Sequence, residues 1–182
     1  ILVSGNEELN KFIENKLLKL AYQPIVDVHT GEIFAYEALM RPKMEKLKTP
    51  FDVIRLAKSQ SRLMDIEVLT WETALEDYFI HKNGGNGKKL FVNSFPNAVL
   101  SKESEQFCKE HFGQYFNRVV VEMTENEEMN DIYMERKRAA GGKDQIEFAL
   151  DDFGSGFNSE INIIEVQPSY VKIDKSFVEN IV

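Results

Sequence analysis

Phe148-Ala149-Leu150-Asp151-Asp152-Phe153-Gly154-Ser155-Gly156 runs three apolar residues into two adjacent acids and then into a glycine-rich turn. The apolar run reads as the end of a buried strand. The glycines read as a sharp exit, because they tolerate positive φ and close backbone approach. Two carboxylates forced together at a strand mouth repel each other, and a divalent cation between them removes that penalty. The stretch also fits an acidic cap on a following helix, since Asp is favoured at helix N-termini. The rest of the chain separates the two readings, because it repeats the arrangement.

Upstream, residues 6–18 predict an amphipathic helix with Leu9, Phe12, Ile13 and Leu17 on one face. Such a helix either links to an upstream module or closes the bottom of its own domain. Residues 20–28 and 33–39, joined by His29-Thr30-Gly31-Glu32, predict an antiparallel hairpin. Thr49-Pro50 opens a helix, and a longer helix over 63–79 carries Val68, Trp71, Ala74, Leu75 and Tyr78 as a core stripe. Residues 82–89 are glycine-rich, but a helix precedes them and a strand follows. They therefore read as a solvated connection and not as a phosphate loop. Strands are predicted at 89–95, 118–125, 146–150 and 170–174, with helices at 97–112, 126–140, 158–166 and from Lys175. A hairpin followed by strand-helix alternation implies a parallel sheet.

Composition narrows the function. The chain has 182 residues, 43% hydrophobic, enough for one globular domain with a core. Its net charge of −8, without a basic stripe, argues against binding a nucleic-acid polymer through phosphates. One cysteine, Cys108, allows no internal disulfide. It reads as inert packing and fits a cytoplasmic setting. No apolar run reaches the length of a membrane span, so no direct membrane contact is expected from this chain, although a longer parent could be membrane-attached.

Glu37, Asn93, Glu122, Asp151, Asp152 and Lys172 all fall at or near the C-terminal end of a predicted strand. In a parallel α/β barrel those ends converge on one face, where such barrels place their active sites. The donors are nearly all oxygen, which suits Mg²⁺ or Mn²⁺ and not structural zinc. Four carboxylates exceed the needs of one ion and suit two, bridged by Asp151. Paired ions suit phosphodiester hydrolysis. Lys172 would orient or deprotonate the water, or face the transition-state charge. Two plainer readings stay open: Glu37 as the ion-pair partner of Arg41, and Lys172 as a structural lysine paired with an acid.

Tyr22-Gln23-Pro24-Ile25, Tyr36-Glu37-Ala38-Leu39-Met40-Arg41, Val92-Asn93-Ser94, Val121-Glu122-Met123-Thr124-Glu125, Leu150-Asp151-Asp152-Phe153-Gly154-Ser155-Gly156 and Val171-Lys172-Ile173-Asp174 resemble, in order, the motifs of the EAL-domain phosphodiesterases. The resemblance implies a modified TIM (β/α) barrel whose first strand is antiparallel, in a domain covering residues 1–182. It implies hydrolysis of cyclic di-GMP to linear pGpG with Mg²⁺ or Mn²⁺, two ions in all. By motif match, Glu37, Asn93, Glu122 and Asp151 would ligate metal, Asp152 would serve the second ion, and Lys172 would act at the water. Gln23, Leu39 and Arg41 would touch substrate, Arg41 through a phosphate. Glu125 would hold the loop after Asp152, which in this family couples dimer contacts to the site. A homodimer and an upstream sensory or cyclase module are the partners so implied.

Family members continue with two more strands, carrying a further metal-binding Glu and a late glutamine, and residues 175–182 supply neither. The barrel is therefore expected to be incomplete at its C-terminus. A non-catalytic cyclic di-GMP receptor is the alternative to the enzyme. A lyase or aldolase using Lys172 as a Schiff base would need a lysine with fewer acidic neighbours.

Overall fold

The computed structural model describes residues 2–95, 101–124, 146–154, 163 and 167–179. Six strands form one sheet in the order β1-β2-β3-β4-β5-β6: Leu18–Val26, Ile33–Pro42, Lys89–Asn93, Val119–Thr124, Glu147–Phe153 and Tyr170–Ile173. β1 and β2 are the antiparallel hairpin, and every later pair is parallel. The hairpin turn is tied by Asp27, whose carboxylate accepts from the backbone N–H of His29 and of Thr30 at 2.8 and 3.0 Å. His29 is thus a turn residue. Among the described residues the sheet is open, ending at β1 on one side and β6 on the other.

Side-chain alternation along each strand divides the sheet into two faces. Ala38, Leu90, Val92, Val119, Val121, Met123 and Phe148 face a large core that also holds Trp71, Leu75, Tyr78, Phe79, Cys108 and Phe112. These last come from helices α3 (Leu63–Leu75) and α4 (Lys102–Phe112) and from the wider-wound turn Glu76–His81 that prolongs α3. The opposite face carries a small apolar floor of Ala35, Phe91, Val120 and Ala149, with Ile25 and Tyr170 packed against it. A third cluster closes one end. There Leu9 and Phe12 of α1 (Leu2–Glu14) meet Val53 and Ala57 of α2 (Pro50–Ser59) and Ile66 and Leu69 of α3.

Several boundaries differ from the sequence reading, each for a local reason. α1 ends at Glu14 and not at 18, because Lys16 takes a left-handed φ of 47° and Leu18 already belongs to β1. α2 starts as expected: Thr49 and Asp52 form a reciprocal capping box, with Pro50 at the first position. β5 continues through the acid pair instead of stopping before it. The pairing register slips between Leu150 and Phe153, and Asp152 has φ 56°, so the strand bulges there. Asp152 N–H donates to Asp151 Oδ1 at 3.0 Å across that bulge. The helices expected at 126–140 and 158–166, and residues 97–100 of the helix that becomes α4, lie outside the described residues apart from Ile163. A short helix, α5 (Lys175–Val178), follows β6, capped by Asp174.

The glycine-rich connection is more ordered than a solvated link. Asn83, Gly84, Gly85 and Asn86 are consecutively left-handed, and Gly84 is buried. Arg118 donates to the carbonyls of Gly84 and Lys88, and its guanidinium lies 5.2 Å from the centroid of the Phe79 ring. A Cβ on Gly85 would sit 2.3 Å from Tyr78 Oη, at a φ of +53°. Gly85→Ala is therefore expected to destabilise the protein by about 2–3 kcal/mol, combining left-handed strain with a clash. Urea unfolding of the variant measures it, and an unchanged midpoint would contradict this packing.

Candidate functional site

The site is built on the pleat above the apolar floor. Each floor residue is followed, two positions later, by a polar one: Ala35 by Glu37, Phe91 by Asn93, Val120 by Glu122, Ala149 by Asp151 and Tyr170 by Lys172. A period of two keeps all five on the same face as the floor. They sit toward the C-terminal ends of five strands that run parallel to one another, which brings them to one level.

Glu37, Glu122 and Asp151 each offer a carboxylate oxygen, and these atoms lie within 4.8 Å of one another. Lys172 Nζ stands among them, 3.2 Å from Glu37 Oε2, 2.7 Å from Glu122 Oε1 and 3.1 Å from Asp151 Oδ2. Asn93 Nδ2 donates to Glu122 Oε2 at 3.3 Å and reaches Glu37 Oε1 at 3.5 Å. Glu122 is fully enclosed, while Lys172 is half-buried. Burial pushes the Glu122 carboxyl up to about 7, against the pull of Lys172. Lys172 is shifted upward: its own burial works against the shift, and the three carboxylates outweigh it. Both shifts come from crowding three acids around one ammonium in a poorly hydrated place.

The oxygens fit a hard cation. Opposite ligands of such an ion, at about 2.0–2.6 Å each, lie about 4–5 Å apart. The ammonium of Lys172 already occupies the shared position of positive charge. A cation entering there would compete with that ammonium for the three carboxylates.

Glu37 is paired with Lys172, whereas Arg41 is exposed and donates through Nη1 to the carbonyl of Met40 at 2.9 Å. The Glu37–Arg41 pairing is thus replaced by a Glu37–Lys172 one. Gln23 lies opposite Glu37 in the hairpin, and Leu39 and Arg41 follow Glu37 at steps of two, so all four share one face. Asp152 is not in the group formed by Glu37, Glu122 and Asp151; it sits at the bulge of β5. Glu125 lies outside the described residues. Cys108 is buried, and burial pushes its thiol up to about 11, as expected of a packing residue. No helix among the described residues is long and apolar enough to cross a membrane.

One residue escaped the sequence reading. Glu67, on α3, is 4% exposed. Its carboxylate accepts from the Ser94 hydroxyl and from the backbone N–H of Phe95, the latter at 3.1 Å. Its position was a signal: it precedes Trp71 by four and Ala74 by seven, on the stripe of α3 that the apolar residues define.

Comparison with known proteins bears on this geometry. The pattern of the EAL domain matches residues 6–182. An uncharacterized protein of Mycobacterium tuberculosis is 29% identical over 95% of the chain, which covers 29% of that protein. A protein of Escherichia coli named as a probable cyclic di-GMP phosphodiesterase, PdeB, is 28% identical over 97% of the chain and 35% of its own length. The chain thus spans about a third of the length of these curated relatives. Among solved structures, Klebsiella pneumoniae BlrP1 in complex with manganese and cyclic di-GMP superposes with a TM-score of 0.75 at 19% identity, over 91% of this chain and 42% of that one. The shared fold is the modified TIM barrel with an antiparallel first strand.

Proposed function

The chain belongs to the EAL domain family, and we propose that it hydrolyses cyclic di-GMP to linear pGpG with Mg²⁺ or Mn²⁺. The observation that carries this reading is the meeting of Glu37, Glu122 and Asp151 around one point of positive charge at the strand ends. Glu37, Asn93, Glu122 and Asp151 would hold one ion, and Asp151 with Asp152 a second. Such ions lower the pKa of bound water and neutralise the non-bridging phosphate oxygens. That also answers how an acidic site accepts an anionic substrate.

The residues of the chain do the rest. Lys172, whose ammonium stands among the three carboxylates, would act as a donor that orients the attacking water and faces developing charge. Water adds to one phosphorus, the P–O3′ bond breaks, and a proton passes to the departing 3′ oxygen, leaving a 5′-phosphate. Gln23, Leu39 and Arg41, on the same face as Glu37, would hold the dinucleotide, Arg41 through a phosphate. Glu125 would steady the loop after Asp152, and a homodimer in the cytoplasm, joined to an upstream sensory or cyclase module, completes the proposal.

The test is turnover of cyclic di-GMP with Mn²⁺ or Mg²⁺, and with EDTA, run on this chain beside a C-terminally extended form. The expected result is pGpG formed only with the metal. Tight binding without product in both forms would replace the enzyme by a receptor.

A further inference from the structure

Glu67 is a carboxylate on a helix face whose neighbours Ile66 and Leu69 are core residues. A charge in such a place is costly unless hydrogen bonds compensate it. Two of its compensating bonds come from the residues that directly follow Asn93: the Ser94 hydroxyl donates to Oε1 and the Phe95 N–H to Oε2. From the other side, Ser94 N–H donates to the backbone carbonyl of Glu122 at 2.9 Å. The turn after β3 is thereby pinned between α3 and β4.

Asn93 is the last residue of β3 and is itself exposed. Little packs against it, yet its amide reaches both Glu37 and Glu122. Strand ends fray when nothing ties them down. What ties this one lies one and two residues downstream.

We propose that Glu67 is a positioning residue of the cation site: by clamping Ser94 and Phe95 to α3 it fixes the direction of Asn93 and hence its place between Glu37 and Glu122. Glu67 touches neither ion nor substrate. Its effect passes through the turn, as the outer hydrogen-bond partners of metal ligands act in general. The proposal rests on the cation-binding reading of the site.

The test compares Glu67→Ala and Glu67→Gln with Leu75→Ala, which removes packing from the same helix in the core cluster that Phe95 does not join. Three quantities are read: Mn²⁺ affinity by electron paramagnetic resonance of the free ion, melting temperature, and the side-chain amide resonance of Asn93 by NMR. Glu67→Ala should weaken Mn²⁺ binding by about 10- to 100-fold and move the Asn93 signal. Glu67→Gln keeps an acceptor for Phe95 and a polar partner for Ser94, so it should recover most of that affinity. Leu75→Ala should lower the melting temperature while leaving Mn²⁺ affinity and the Asn93 signal as they are. Should Glu67→Ala fail to fold, Glu67→Asp, with a shorter reach, takes its place in the comparison. Wild-type Mn²⁺ affinity in Glu67→Ala, an equal loss in Glu67→Gln, or an equal loss in Leu75→Ala would each overturn the proposal. If the unaltered protein binds no Mn²⁺, the hydrolase reading falls by itself. The Asn93 resonance then decides alone: displaced in Glu67→Ala it supports the clamp, and unmoved it overturns it.

Discussion

Replacing Lys172 with methionine will lower the melting temperature of the divalent-free protein, and added Mn²⁺ will return most of the loss. The lysine holds three carboxylates whose oxygens lie within 4.8 Å of one another. Without it, among the described residues, those acids face each other and the Asn93 amide. Breaking a buried ion pair from one side costs about 3–5 kcal/mol. Here Lys172 is 28% exposed and Glu37 and Asp151 are 15% and 19% exposed, so solvent reduces the figure to about 2–3 kcal/mol. For a protein of this size that corresponds to about 4–12 °C.

The loss should also depend on pH, with a definite sign. In the variant the enclosed Glu122 carboxyl has lost its cation, so it holds a proton more firmly in the folded than in the unfolded protein. A raised folded pKa contributes stability at low pH that disappears as pH rises from the free carboxyl range through the folded value. Melting in EDTA should therefore be closer to that of the unaltered protein at pH 5 than at pH 8. Thermal melts at the two pH values, with EDTA and with Mn²⁺, measure this. Identical melting of variant and parent in EDTA would mean that Lys172 does not hold the acids together.

Glu37→Ala should reduce Mn²⁺-dependent conversion of cyclic di-GMP by at least about 100-fold, the upper end of what losing an outer partner of a metal ligand costs, because it removes a group that would itself hold the ion, while the fold persists. Glu37 is, like Asp151, partly open to solvent, and its contact with Lys172, at 3.2 Å, is the longest of the three. Its removal relieves like-charge crowding and leaves Lys172 two partners. The expected change in stability is therefore under about 1 kcal/mol. Chromatographic detection of pGpG, alongside a urea titration, separates the two effects. Turnover near that of the unaltered protein would remove Glu37 from the machinery, and a collapse of stability would show that its role is in folding.

The site was legible because its rule is local. A polar residue two positions beyond an apolar one, near a strand end, is visible in Phe91-Val92-Asn93 or Val120-Val121-Glu122 without coordinates. The hairpin and the parallel order followed from equally local signals. Other features needed the third dimension. The bulge at Asp151-Asp152 depends on how β6 pairs with β5, so two adjacent acids looked equivalent in the sequence although only Asp151 joins the carboxylate group. The end of α1 depends on a left-handed Lys16, a conformation that lysine does not advertise. Glu67 was hidden for a different reason: an acid inside an apolar helical stripe reads as an interruption until its distant partner, the turn after β3, is known.

The alternation that lifts a ring of acids above an apolar floor also proofreads assembly. Sliding β4 by one residue would trade Glu122 for Val121 or Met123, both buried against the helices on the opposite side of the sheet. The carboxylate would then be driven into hydrocarbon while a valine or methionine took the place beside Lys172. A mispaired strand would thus lose its core and its chemistry in one step, which makes the polar ring a checkpoint on how the chain is allowed to fold.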